Sequence, residues 1–204
     1  MYSELEEYIR DRELEFDDIP ESRKKQLEEV AEYIREQKKS DSDVKINFIC
    51  THNSRRSHLS QIWAGTAAGY YSLNGIQTYS GGTEATAFNP RAVAALERAG
   101  FRVKDPGGDN PEYKIYFDDH SEPMVCFSKK FGHSFNPQYN FAAIMTCSDA
   151  DENCPFVPGA AKRFSITYID PKESDGTPQE SETYDERCRQ IAREMLFMLK
   201  LATE

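Results

Sequence analysis

The sequence lacks long apolar runs, a basic charge excess and a dense set of cysteines. No stretch of the 204 residues approaches the roughly 20 apolar residues that span a membrane, and the N-terminus has neither the basic nor the apolar region of a signal peptide. The net charge of −10 argues against nucleic acid or an anionic membrane surface as a partner. These absences predict a cytoplasmic protein in which a local basic loop does any anion binding.

The cysteine content points to free thiols. Five cysteines, an odd number, fit reduced thiols better than a structural disulfide framework. Cys126 and Cys188 are expected in the core. Cys147 and Cys154 are seven positions apart, without the short spacing of zinc ligands, so no metal site is expected there. In a reducing compartment, paired cysteines are more often catalytic or redox-active.

The predicted elements follow an α/β order. Compact apolar runs predict strands, and apolar stripes at helical spacing predict helices between them. The strands are expected at 44–50, 76–80, 141–145 and 163–169, with Gly81 and Gly82 as a turn, and the helices at 57–70, 90–99 and 179–202. We therefore expect a four-stranded parallel sheet with helices on both faces. Ligands of such sheets bind at the carboxyl ends of the strands, where Cys50 lies.

An N-terminal extension precedes these predicted strands and helices. Residues 1–43 are predicted to be helical and charged, with a break near Pro20 and a linker at 40–43, and residues 44–204 form the main domain. One apolar stripe in the extension must be buried against the main domain or another subunit: Leu27, Val30, Ala31 and Ile34.

An insertion at about 105–140 interrupts the main domain. Two short β-like runs, at 113–117 and 124–127, predict a hairpin at the sheet edge. Its aromatic residues either pack within the insertion, which we favour, or form a lid over the loop after Cys50: Tyr113, Tyr116, Phe127, Phe131, Phe135 and Tyr139.

The stretch Val44 to Ser57, VKINFICTHNSRRS, combines a strand, a loop and a helix start. A helix N-terminus presents unpaired N–H groups and partial positive charge, so the loop before it can cradle a tetrahedral oxyanion. The same field favours a thiolate at Cys50, and Arg56 adds a planar cation whose donors suit phosphate geometry. The stretch therefore predicts a nucleophilic cysteine in an oxyanion-binding loop.

The C-x5-R spacing followed by Ser57 resembles the phosphate-binding loop of the low-molecular-weight tyrosine phosphatases and of the thioredoxin-coupled arsenate reductases that share their fold. The resemblance extends over most of residues 45–202 through FICTHNSRRS, YSGGTEA, NPRAVAALERAGF, CSDADENCPFVPG and YIDP. It implies that arsenate or a phosphate ester is bound by Thr51, His52, Asn53, Ser54, Arg55 and Ser57. It implies no tightly bound cofactor.

The resemblance also implies roles for three residues outside the loop. Cys147 would attack the Cys50 adduct, and Cys154 would then take over the disulfide and present it to a thioredoxin-like reductant. Asp170, followed by Pro171 after the final strand, would be the general acid toward the departing oxygen.

Three positions depart from the family pattern. His52 stands where the family usually has Gly, and it either alters the loop or faces solvent. Arg55 stands where a small residue or Cys is common, and it either adds anion affinity or faces solvent. Some of these reductases bind potassium with a carboxylate at the place of Gln61, so no metal is expected in this chain.

These observations predict a thiol-dependent arsenate reductase. A first alternative is a phosphatase for phosphotyrosine or an aryl phosphate, with the same Cys50, Arg56 and Asp170 and with Cys147 idle. The aromatic insertion favours this alternative and the cysteine pair opposes it. A second alternative is a non-catalytic oxyanion or redox sensor, which His52 and Arg55 favour and the intact Asp170 opposes.

Overall fold

The computed structural model describes residues 1–39 and 43–204. Of the predicted linker, residues 40–42 lie outside the described part. The helices are α1 Ser3–Glu13, α2 Glu21–Lys38, α3 Arg56–Tyr70, α4 Pro90–Arg98, α5 Ser148–Asn153 and α6 Glu180–Leu201. The strands are β1 Val44–Cys50, β2 Ile76–Gly82, β3 Arg102–Lys104, β4 Tyr113–Tyr116, β5 Met124–Cys126, β6 Phe141–Met145 and β7 Ala160–Ser165. Short 3-10 helices span Phe16–Asp18 and Pro171–Ser174.

Four parallel strands form the central sheet in the order β2-β1-β6-β7, as predicted. β1 lies between two neighbours, with Cys50 opposite Gly82 of β2 and Ile49 opposite Met145 of β6. A central parallel strand is covered on both faces, which is why β1 is a nearly continuous apolar run. The carboxyl ends of β1 and β6 therefore lie side by side.

Helices cover both faces of the sheet. Ile46 and Phe48 of β1 join the larger core, to which α2, α3 and α6 contribute, while Ile49 joins a smaller core with Ala150 of α5. Successive strand side chains point to opposite faces, so these two cores lie on opposite sides. One apolar stripe of α6 is buried throughout: Cys188, Ile191, Met195, Met198 and Leu199.

The N-terminal helices pack on the main domain. The stripe predicted in α2 is fully buried, and both α1 and α2 contact α6. Gly100, with φ of 101°, lets α1 approach closely, because a Cβ there would lie 2.5 Å from the backbone nitrogen of Leu5. Arg23 of α2 donates to the carbonyl oxygen of Thr167 at 2.6 Å, so the extension also reaches the segment that leads to Asp170. No helix in residues 1–39 or 43–204 is long and apolar enough to cross a membrane.

The turn predicted at Gly81 and Gly82 is wrong, because both residues belong to β2. Gly82 forms a parallel bridge with Lys130 of the insertion, and a Cβ at Gly81 would lie 2.4 Å from the Cα of Phe131. The two glycines therefore allow the insertion backbone to approach the edge of the sheet.

The insertion contains the predicted hairpin, but the hairpin does not join the main sheet. β4 and β5 pair antiparallel, and β3 adds a third strand to give a separate sheet in the order β3-β4-β5. β3 lies ahead of the predicted start at 105, and its three residues are too short to give a periodic signal.

The last predicted strand is shifted. β7 begins at Ala160 and ends at Ser165, whereas the pattern favoured 163–169. The apolar residues beyond Ser165 still bond to the neighbouring strand segment, since the Ile166 N–H donates to the Met145 carbonyl oxygen at 3.0 Å and the Tyr168 N–H to that of Thr146 at 3.1 Å.

Leu27→Ala is expected to lower the free energy of unfolding by about 2–5 kcal/mol, because it leaves a cavity in a fully buried part of the core. Leu14→Ala is the matched control: Leu14 is 84% exposed, and its truncation is expected to change stability by no more than about 0.5 kcal/mol. Urea unfolding followed by circular dichroism measures both. An equally small effect at Leu27 would contradict its place in the common core.

Candidate functional site

The loop after β1 places a thiol at the start of α3. Cys50 is the last residue of β1, and α3 begins six positions later at Arg56. Cys50 is only 3% exposed, and its Sγ lies 3.1 Å from the Oγ of Ser57 in the first turn of α3. A hydroxyl at that distance can donate to a thiolate and hold its charge.

Asn53 holds the loop in shape. Its φ of 46° is in the left-handed region, which asparagine adopts more readily than most residues. Its side-chain amide donates to the Oγ of Ser57 at 2.9 Å, which leaves the Ser57 hydroxyl proton available for the sulfur of Cys50. Its side-chain oxygen accepts the backbone N–H of Lys129 at 2.9 Å. Asn53 therefore joins the loop both to α3 and to the insertion.

The insertion braces the loop at a second point. The Ser128 hydroxyl donates to the carbonyl oxygen of His52 at 2.9 Å and accepts the N–H of Thr86 at 2.8 Å. Asn110 bonds both backbone groups of Ser128, at 3.0 and 2.8 Å. Sequence reasoning missed Ser128, Lys129 and Asn110 as site-supporting residues, since no motif marks them and they lie more than 50 positions from the loop.

Arg56 and Asp170 meet directly. Arg56 donates through Nη2 to Oδ2 of Asp170 at 2.7 Å and through Nη1 to the carbonyl oxygen of Tyr168 at 3.0 Å. The other carboxylate oxygen of Asp170 accepts the Lys172 N–H at 3.1 Å. The hollow at this point has a volume of about 10 Å³ and is lined by Cys50, His52, Ser54, Arg55, Arg56 and Asp170. An oxyanion bound there would have to compete with Asp170 for Arg56.

The two departures from the family loop have different surroundings. His52 is half-exposed, and its Nε2 lies 3.6 Å from Glu84, which is also exposed. It has no positive φ, so a side chain is accommodated without strain at a position where the family usually has glycine. The Arg55 side chain is only 12% exposed, and its Nε donates to the hydroxyl of Tyr184 on α6 at 2.8 Å.

Cys147 and Cys154 bracket the short helix α5. Cys147 is fully buried, and its Sγ lies 3.4 Å from the Oγ1 of Thr51, the residue after Cys50. Cys154 follows the end of α5 and is partly exposed. Arg163 of β7 bonds both Cys154 and Asp151 of α5, at 3.1 Å to the Cys154 carbonyl oxygen. The chain thus places one thiol beside the loop and the other nearer to solvent.

The remaining cysteines are in the core, as predicted. Burial raises the pKa of Cys126 and of Cys188 to about 12, so both remain thiols at neutral pH. Across residues 1–39 and 43–204, no three His, Cys, Asp or Glu side chains are grouped to hold a metal ion. Gln61 donates to the Thr78 carbonyl oxygen at 3.3 Å.

The aromatic residues of the insertion do not line the hollow at Cys50 in the described part of the chain. Tyr113 is buried and packs edge-on against Phe88, while Phe127 packs edge-on against Phe135. Tyr139 is exposed. Phe127 therefore packs within the insertion, as favoured from the sequence, whereas Tyr113 packs against Phe88 of the main domain, and neither forms a lid over the hollow.

Comparison with known proteins gives arsenate reductases as relatives in sequence. The chain is 30% identical over 144 residues to the arsenate reductase of Bacillus licheniformis, which covers 71% of this chain and 86% of that protein. It is 28% identical to the arsenate reductase of Bacillus subtilis over the same shares of each chain. No family model matches the chain.

The fold has solved counterparts at low sequence identity. A low molecular weight phosphotyrosine phosphatase from Vibrio cholerae O395 superposes with a TM-score of 0.53 at 17% identity, covering 79% of this chain and 97% of that chain. A low molecular weight protein tyrosine phosphatase from T. tengcongensis superposes with a TM-score of 0.51 at 16% identity, covering 78% and 99%. At these identities the likeness concerns the fold.

The buried ammonium of Lys129 predicts a pH-dependent difference in stability. Burial lowers the pKa of Lys129 to about 8, from 10.5 for an exposed lysine. Below pH 8 the folded state keeps a charge buried. Between about pH 8 and pH 10.5 the folded lysine is neutral while the unfolded one still binds a proton, so the contribution of Lys129 to stability rises with pH.

Lys129→Met is therefore expected to be more stable than the wild type at pH 7, by up to about 3 kcal/mol, with the difference shrinking toward pH 10. Urea unfolding at pH 7, 8.5 and 10 measures this difference. Lys130→Met, at the exposed neighbouring position, is the control and should show no such trend. A Lys129→Met variant that is less stable by the same amount at every pH would contradict the buried charge.

Proposed function

The chain belongs to the arsenate reductase family built on the low-molecular-weight phosphatase fold, and we propose that it reduces arsenate to arsenite by a relay of three cysteines. The observation that carries this proposal is the position of Cys147. Its sulfur lies beside Thr51 at the end of the strand next to that of Cys50. Hydrolysis of a phosphate ester needs no second thiol there.

The first step would join arsenate to Cys50. Backbone N–H groups at the start of α3 and the Arg56 guanidinium would hold the oxyanion. The Cys50 thiolate would form a bond to arsenic while one oxygen leaves as water, after receiving a proton from Asp170. The 2.7 Å bond between Arg56 and Asp170 supports this assignment, since it brings the acid to the anion site.

The second step would form a disulfide and release the product. The Cys147 thiolate would attack the sulfur of Cys50, the sulfur–arsenic bond would break, and its electron pair would leave with arsenic as arsenite. Ile49 pairs with Met145. Cys50 directly follows Ile49, and Cys147 lies two positions after Met145, so the two cysteines are one position out of register. Strand spacing then gives a Cα separation of roughly 6 Å. Disulfides join Cα atoms about 4–7 Å apart, so this Cα separation permits the bond, for which the two side chains would have to turn toward each other.

The third step would need a larger movement. The Cys154 thiolate would attack the sulfur of Cys147 and free Cys50, and a dithiol reductant of the thioredoxin type would reduce the Cys147–Cys154 disulfide. Cys147 and Cys154 cap opposite ends of α5, and a helix rise over seven positions separates them by about 10 Å. That span exceeds disulfide reach, so α5 would unwind in this step.

A phosphatase is the second candidate. Cys50, Arg56 and Asp170 would suffice for it, with water attacking a phosphocysteine, and the fold is that of phosphotyrosine phosphatases. A non-catalytic sensor is less well supported, because Asp170 is held at Arg56 by a direct bond that oxyanion binding alone would not require.

Single-turnover reaction of the fully reduced protein with excess arsenate tests the proposal. Loss of two thiols per chain is expected, with the disulfide mapped to the cysteines of the relay. Cys147→Ser is expected to abolish the thiol loss, and Cys126→Ser is the matched control because Cys126 is a core residue outside the site. Unchanged thiols together with hydrolysis of an aryl phosphate that depends on Cys50 would move the assignment to phosphatase.

Arg163→Met is expected to speed the third step. Arg163 holds α5 in place through Asp151 and the Cys154 carbonyl oxygen, and those contacts must break when α5 unwinds. Removing about 1 kcal/mol of interaction would raise the rate of formation of the Cys147–Cys154 disulfide about fivefold.

Rapid acid quench, alkylation and mass spectrometry after one turnover measure that rate. Lys162→Met, at the adjacent exposed position of β7, is the control. A rate in Arg163→Met that is equal to or below that of the control would contradict the role of α5 unwinding.

A further inference from the structure

Two adjacent arginines at the end of the loop face different partners. Arg56 bonds Asp170 directly, at 2.7 Å. Arg55 donates to the Tyr184 hydroxyl at 2.8 Å, and its Nη2 lies 3.5 Å from the carboxylate of Asp175. Its Nε lies 3.9 Å from Asp170. The Arg55 side chain therefore contacts both ends of the segment 170–175 that carries the acid.

Tyr184 completes a closed network of contacts with Arg55 and Asp175. Its hydroxyl accepts from Arg55 and donates to Asp175 at 2.8 Å. Burial and the bond to Asp175 raise the pKa of Tyr184 to about 12, so the hydroxyl remains a donor at neutral pH. Tyr184 is fully buried on α6, which fixes the position of the network relative to the core.

Oxyanion binding would affect the two arginines differently. Arg56 would turn its donors to the oxyanion and so give up its bond to Asp170. The bond from the Lys172 N–H to Asp170 is internal to the segment and does not fix the segment relative to the loop. Arg55 also lines the hollow, but it would keep its contacts with Tyr184 and Asp175, because those two residues are not part of the lining.

We infer that Arg55 is a positioning residue that holds the Asp170 segment against the oxyanion loop while Arg56 is engaged with substrate. This inference rests on the proposed reaction at Cys50 with Asp170 as the acid. The backbone N–H of Arg55 remains part of the loop, and the new role concerns its side chain. A misplacement of about 1 Å in a reacting group can lower the rate about a hundredfold. Holding the Asp170 segment in place would therefore preserve the rate of the first step.

The inference is tested on the first step of the reaction. The rate of thiol loss is measured in single turnover at a series of arsenate concentrations. Arg55→Met is expected to lower the maximal rate about tenfold while the half-saturating arsenate concentration changes less than about twofold. Asp170→Asn is expected to lower the maximal rate by about 10²-fold or more. Arg98→Met is the matched control, because Arg98 also bonds a residue of α6, here the carboxylate of Asp185, but far from the loop in sequence and on the exposed surface.

The double variant Arg55→Met/Asp170→Asn distinguishes positioning from general stability. If Arg55 acts through Asp170, the double variant is no slower than Asp170→Asn alone. Additive losses would overturn the inference, and so would a raised half-saturating concentration with an unchanged maximal rate, which would make Arg55 an anion-binding residue. Tyr184→Phe removes one link of the network and keeps Arg55; it is expected to lower the maximal rate in the same sense and guards against a poorly folded Arg55→Met.

These measurements distinguish failure of the proposed function from failure of the role inferred for Arg55. A wild type that loses no thiols with arsenate overturns the reductase proposal, and the same variants are then compared in hydrolysis of phenyl phosphate, whose poor leaving group needs the same acid. Equal rates for Arg55→Met and Arg98→Met in whichever reaction the wild type performs would overturn the role of Arg55 alone. A wild type inactive in both reactions overturns both.

Discussion

The side chain of Asn53 is the constraint on which the site depends. One end of its amide holds the Ser57 hydroxyl next to the Cys50 sulfur, and the other end accepts a backbone N–H from the insertion. The left-handed backbone at Asn53 turns the loop so that these bonds form together. The Cys50 thiol, the N-terminus of α3 and the distant insertion are thereby held in one arrangement, with no disulfide and no group of side chains suited to a metal ion among the described residues.

The insertion is part of this support and not an addition to the surface. Ser128 and Lys129 bond the loop because the insertion backbone runs against the end of β2, and that approach is possible because Gly81 has no side chain. The same contact places the ammonium of Lys129 in the interior, where burial lowers its pKa. Support for the loop thus carries a cost in stability at neutral pH.

Asp170 and Cys147 approach the loop from different strands. Cys147 follows β6, the neighbour of β1, whereas Asp170 follows the extended segment after β7. Arginine side chains contact both regions: Arg163 bonds Asp151 of α5, whereas Arg55 contacts Asp175 and Arg56 bonds Asp170. In the proposed relay, this division would let α5 unwind while Asp170 stays in place, which a single shared tether would not allow.

The sequence by itself determined the parallel α/β sheet, the loop from Cys50 to Arg56 and the core thiols. These depend on local signals: apolar runs for buried strands, a helix start after a strand, and apolar spacing along α6. Tertiary structure decided where the side chains of Arg55 and Arg56 point, that Gly81 and Gly82 end a strand, and that Ser128 and Lys129 reach the loop. Those outcomes depend on contacts between residues far apart in the chain, such as Arg55 with Tyr184 on α6, and no pattern within one segment encodes them.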